Sequence, residues 1–152
     1  VDAIAAWSPM SLTILAQAEN ATDICSNVDF ATMASPGSWV VNPDWAAQNA
    51  DVLVRFNRAM FKAMDFASAA TSDDAVAQEV AGYVAKITGL DAESTIAQRY
   101  DGSWLNSAQV LEMIESGKLV EYYNNQQVNF GDAAGPLKAD EFVLVDLMVN
   151  AK

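Results

Sequence analysis

The chain has 152 residues and carries 8 basic against 20 acidic side chains, a net charge of −12. That balance excludes a nucleic-acid or anionic-membrane binder, whose affinity rests on Lys and Arg meeting phosphates. Apolar residues make up 52% and charged residues 18%, which excludes general disorder. With no histidine and one cysteine, the usual general base, the usual catalytic triads and an internal disulfide are also absent. The longest apolar runs are a few residues, against about 20 needed to cross a bilayer. Val1-Asp2-Ala3 shows no basic n-region and no leucine-rich h-region, so the expectation is a chain that begins mid-protein or after processing.

Ala3 to Trp7 reads as a short buried strand ended by Ser8-Pro9, a strong helix start with Ser at the N-cap and Pro at N1. A helix to about Glu19 follows, with Leu12, Leu15 and Ala16 inward. Thr22 to Cys25 is a second short strand, and Cys25 is expected to be a small buried hydrophobe. After a loop over 27–37, Ser38 to Val41 is a third strand. Asn42-Pro43 repeats the cap-then-proline signal and starts a helical turn with Trp45.

From Asn49 the pattern is strongly helical. Leu53, Phe56, Met60, Ala63, Met64 and Ala67 recur at spacings of three and four, and Val54 and Phe61 widen the stripe. Thr71-Ser72-Asp73-Asp74 caps the next helix; the two acids read as a capping and dipole feature rather than a cation site. Its apolar face is Val76, Val80, Tyr83, Val84 and Ile87, and Gly89 supplies a left-handed stop. Asp91 opens a short helix towards Tyr100, and 101–103 is a turn. Asn106 and Gln109 form a capping-box pair ahead of Val110, Leu111 and Ile114. Gly117 separates that helix from another over 118–130. A loop over 131–136 leads to a final helix containing Phe142, Val145, Leu147 and Met148, although Phe142-Val143-Leu144-Val145 alone also fits a strand.

Strands therefore cluster in the first 41 residues and helices fill the rest, which is lopsided for a complete α/β domain. It suits a fragment, or a chain that completes a sheet supplied elsewhere.

Two stretches carry a family resemblance. Val1-Asp2-Ala3-Ile4-Ala5-Ala6-Trp7-Ser8-Pro9 is similar to the segment of nitrate/sulfonate/taurine-type periplasmic binding proteins in which a strand delivers an aromatic residue to the ligand cleft. Gly37-Ser38-Trp39-Val40-Val41-Asn42-Pro43-Asp44-Trp45 resembles the strand of that family that crosses back to the first lobe, and Asn49 to Met60 resembles its next helix. Asp101 to Leu105 and Tyr122 to Gln127 resemble its C-terminal region. The resemblance spans nearly the whole chain but only the C-terminal half of the family.

It implies a partial type II periplasmic-binding α/β fold, helix-rich, with a few short strands near the N-terminus. Residues 1–34 would end the second lobe, 35–41 would be the crossover strand and 42–152 the C-terminal helical part of the first lobe. The implied protein is the periplasmic or otherwise extracytoplasmic solute-binding component of an ABC importer. Its signal peptide and N-terminal half would lie outside this chain, its partners would be a small polar or anionic solute and an ABC permease, and it would need no cofactor or metal.

The residues placed to meet a solute are Trp7 and Ser8, at a strand's end before a helix N-terminus, and Ser35, Gly37, Ser38 and Trp39 at the crossover. Hydroxyls there would orient a polar ligand, and Gly37 would permit close backbone approach. The ordinary alternatives are a self-capping Ser8, a core Trp7 and a plain turn at 35–39. Gly37 and Ser38 also stand where some amine-sulfonate binders carry an acid, which weighs against an ammonium-bearing ligand. The same superfamily includes thiamine-pyrimidine synthases, but those depend on a histidine and a cysteine-rich motif, so an enzyme is not expected. A helical interaction module that pairs with another chain through the Leu53, Phe56, Met60 and Met64 stripe is the other class.

Overall fold

The computed structural model describes residues 2–8, 10–26, 29–30, 37–100, 102–131 and 138–152. It is 68% helical, and among the described residues there is no strand or sheet. The expected partial periplasmic-binding α/β fold is therefore wrong for this structure. Ala3–Trp7, Thr22–Cys25 and Ser38–Val41 are apolar and β-prone, yet none of them is in a strand. The reason is physical: a strand exists only as part of a ladder that satisfies its N–H and C=O groups, and apolar patterning without a neighbour does not make one. Cys25, expected to be buried, is exposed.

The helices are α1 (Met10–Gln17), α2 (Pro43–Gln48), α3 (Ala50–Ser68), α4 (Asp74–Thr88), α5 (Ala92–Ala97), α6 (Ser107–Glu115), α7 (Lys118–Phe130), α8 (Ala139–Phe142) and α9 (Val145–Val149). Short 3₁₀ turns at Ala69–Thr71 and Gln98–Tyr100 follow α3 and α5. The chain divides into two compact units, Val1–Cys25 with Phe66–Trp104, and Ser26–Asp65 with Leu105–Lys152.

In the second unit, Phe61 of α3, Val110 of α6 and Ala151 form the core, flanked by partly buried Val54, Met64, Leu105, Leu111, Ile114 and Met148. The α3 stripe foreseen from spacing is real, but Phe61 at its margin is the anchor, while Phe56 and Ala63 are exposed. Polar contacts fix how α6 begins. The Asn106 side chain accepts the Gln109 N–H at 2.9 Å, and Gln109 Oε1 accepts the Asn106 N–H at 2.9 Å. Asp65, on α3, accepts both the N–H (2.7 Å) and the hydroxyl (2.9 Å) of Ser107. The cap thus joins local helix initiation to tertiary packing. The expected single C-terminal helix is instead two short ones, α8 and α9, separated by Val143 and Leu144.

In the first unit, α4 packs on α5 and on the 3₁₀ turn that precedes it. The contact is made through small residues: Ala70, Ala77 and Ala81 are buried. Asp73 caps α4 by accepting the Ala75 and Val76 N–H groups, and Gly89 ends it at φ 74°. Asp91 caps α5 by accepting the Ser94 N–H and hydroxyl, each at 2.7 Å. The face assigned to α4 needs correction, because Tyr83 and Ile87 lie outside the packed side. α1 stops at Gln17, not Glu19, and buries nothing fully; Leu12 is half-buried, while Leu15 and Ala16 are exposed.

Phe61→Ala should cost about 3–5 kcal/mol, because it empties the centre of the second unit's core. Asn106→Ala should cost about 1 kcal/mol through loss of the cap. Urea denaturation with an unchanged m-value checks both, and a Phe61→Ala midpoint equal to that of the parent chain would contradict the core assignment.

Candidate functional site

The segment from Gly37 to Asn42 runs into α2, where the Asn42 side chain accepts the Trp45 N–H at 3.1 Å and Pro43 opens the helix. Cap and proline fix the direction in which the preceding residues leave the helix. Those residues are then tied down by side chains. The Ser38 and Tyr123 hydroxyls are hydrogen-bonded at 2.6 Å. Trp39 stands edge-on to Phe56, with ring centroids 5.5 Å apart and planes at 81°. Tyr123 meets Phe142 in the same edge-on manner, at 6.1 Å and 89°. Phe56, Trp39, Ser38, Tyr123 and Phe142 thus form one connected series on the second unit.

Most of that series stays open to water. Trp39 is 75% exposed, and Val40 beside it 94%. Edge-on pairs of this kind contribute about 0.5–1.5 kcal/mol each, enough to orient Trp39 without covering it. The arrangement offers an aromatic wall next to two hydroxyls that both donate and accept hydrogen bonds.

Of the residues placed at the crossover from sequence, Ser38 and Trp39 take part in this series. Ser35 lies outside the described residues. Gly37 is exposed, and a Cβ built on it would meet nothing within 4 Å; its neighbours do not demand a glycine. Trp7 and Ser8 belong to the first unit. Trp7 is 82% exposed, its carbonyl accepts the Ser11 N–H at 3.2 Å, and the Ser8 hydroxyl lies 3.4 Å from that of Ser11. The first turn of α1 is therefore closed partly by Trp7 itself.

Tyr123, Phe56 and Phe142 are the members that sequence reasoning did not assign to a site. Phe56 was visible as part of a stripe and Tyr123 as half of a tyrosine pair. Nothing in the linear pattern joins Ser38 to Tyr123.

The Ser94 N–H and hydroxyl hold the Asp91 carboxyl below its usual value. The Glu79 carboxylate, which accepts the Tyr83 hydroxyl at 2.8 Å, pushes that phenol up. The Asp74 carboxylate at 2.7 Å keeps Arg99 firmly protonated. All three groups belong to the first unit and serve its helices. Among the described residues no three His, Cys, Asp or Glu side chains are grouped to hold a metal ion, and no helix is long and apolar enough to cross a membrane.

No protein-family model, curated protein or solved structure matches the chain. Chemistry at the site therefore rests on its own residues.

Removing the Tyr123 hydroxyl in Tyr123→Phe should cost at most about 1 kcal/mol, since both partners remain reachable by water. Asp91 gives a sharper check with a definite sign. Its carboxyl is lowered in the folded chain, so its contribution is present above the usual 3.8 and is lost as pH falls through the lowered value. An NMR titration should place its midpoint below 3.8, and Ser94→Ala should move that midpoint upward.

Proposed function

We propose that the chain serves as part of the extracytoplasmic solute-binding component of an ABC importer, taking a small polar or anionic solute such as nitrate, a sulfonate or taurine. One observation carries the reading. The Gly37–Trp45 stretch, whose residues resemble the crossover of that family, presents Trp39 to solvent beside the paired hydroxyls of Ser38 and Tyr123.

An aromatic face with adjacent hydroxyls suits a solute that is polar at one end and compact. At a net charge of −12, long-range steering works against an anion. Recognition must then rest on short hydrogen bonds from the hydroxyls and from backbone N–H groups. Trp39 supplies one wall; the other comes from polypeptide beyond this chain, the N-terminal half of the protein in this reading. In this reading a permease then receives the solute.

A second reading has its own support. All four tryptophans, Trp7, Trp39, Trp45 and Trp104, are exposed, and exposed aromatics are the usual anchors of a protein–protein interface. The chain would then be a helical module that pairs with another polypeptide.

A thermal-shift panel of nitrate, taurine and short alkanesulfonates, run on the protein expressed from its complete gene, separates the two. A solute at a hundred times its Kd should add about 2.7 kcal/mol, a shift of roughly 5–10 °C, and Trp39→Ala should abolish it. Unchanged midpoints across the panel would contradict the solute-binding reading. A polypeptide retained through purification would then favour the interaction module.

A further inference from the structure

Helix α4 has two apolar faces: one is packed within its unit and the other is only partly covered. Ala77 and Ala81 are buried, on the helix that packs against α5 and the Ala69–Thr71 turn. Beside them run Val76, Val80, Tyr83 and Ile87, at spacings of four, three and four. That is the 3.5-residue repeat of a seam between two paired helices. Val76 and Val80 are half-buried, whereas Tyr83 is 58% and Ile87 85% exposed. The seam is thus open where its largest side chains stand.

The charges beside the seam indicate what covers it. Glu79 and Lys86 are seven residues apart, so they occupy the same edge of the seam, away from the side that holds Ala77 and Val84. Both are exposed. Their signs are opposite, and that makes the edge complementary to itself when a second α4 runs the other way. In the register that places Val80 opposite Tyr83 of the second copy, Val76 falls opposite Ile87. Glu79 then faces Lys86, twice, about one two-fold axis. A parallel pair would set Glu79 and Lys86 against the edge that bears Ala77 and Val84, where no charge answers them.

We propose that α4 is a self-association surface, and that its occupant is the α4 of a second copy of this chain, antiparallel and two-fold symmetric. The interface is isologous, so it closes at a dimer. The Tyr83 hydroxyl donates to Glu79 Oε1 at 2.8 Å and leaves the other carboxylate oxygen to Lys86 of the second copy. The contact involves neither Trp39 nor any residue given a solute-binding role, so it stands or falls independently of that reading.

Sedimentation equilibrium on the intact chain at low salt, over a wide concentration range, tests it with substitutions confined to exposed side chains. The parent chain should reach dimer. Glu79→Lys and Lys86→Glu should each weaken the dimer about tenfold, because each turns two attractions into two repulsions. An equimolar mixture of those two variants should recover the parent affinity, since each then carries one sign along the edge and meets the other. Ile87→Asp should leave a monomer with unchanged helical circular dichroism.

A parent chain that stays monomeric at every concentration would overturn the proposal. So would a dimer indifferent to both charge reversals, a mixture no tighter than the single variants, or a dimer abolished by Trp39→Ala and unaffected by Ile87→Asp.

Discussion

The core of this chain is built from very little. Among the described residues the buried apolar side chains are Phe61, Val110 and six alanines, Ala46, Ala70, Ala77, Ala81, Ala139 and Ala151. Alanine lets helices approach closely, as α4 and α5 do, but it removes little apolar area from water, and burial is worth roughly 25 cal/mol per Å². The other large apolar side chains among the described residues are left half-buried or exposed. Everything distinctive about the surface follows: the open tryptophans, the bare face of α4 and the uncovered Val40.

With so little burial, local hydrogen bonding does much of the work of defining the helices. Asn42, Asp73, Asp91 and the Asn106–Gln109 pair each satisfy N–H groups that a helix start leaves free. Arg99 extends the same logic in the first unit. Its Nη1 reaches Asp74 at 2.7 Å and the Ala70 carbonyl at 3.4 Å, which links the start of α4 to the turn before it. Its side chain is only 19% exposed, and its Nε is buried without a partner. An interior position for this arginine therefore has a cost as well as a gain. Exposed pairs such as Asp51–Arg55 and Glu115–Lys152 add little by comparison.

These caps were also what the sequence revealed best, because their signals are local. Asn42-Pro43, Asp73, Gly89 and Asn106 with Gln109 can each be read from four or five neighbouring residues. The stripe on α3 was legible for the same reason, although not which of its members would be buried deepest. Strands were misread because an apolar run such as Ser38–Val41 states a preference and not a partner, and a ladder needs both. The series through Trp39 illustrates the same limit: Ser38 and Trp39 were singled out, yet their contacts with Tyr123 and Phe56 depend on packing between distant segments. The orientation of α4 was misjudged because its larger apolar residues were assumed to face inward, whereas close helix packing selected Ala77 and Ala81.

In this helical chain the Trp39–Val41 segment stands open and outside any sheet, held at its edge by side chains. Residue-resolved amide hydrogen exchange measures that directly. The amides around Phe61 in α3 and Val110 in α6 should exchange slowest, and those of Trp39, Val40 and Val41 should exchange close to unfolded rates. Protection of Trp39–Val41 equal to that of α3 would reveal a strand ladder there and contradict the account.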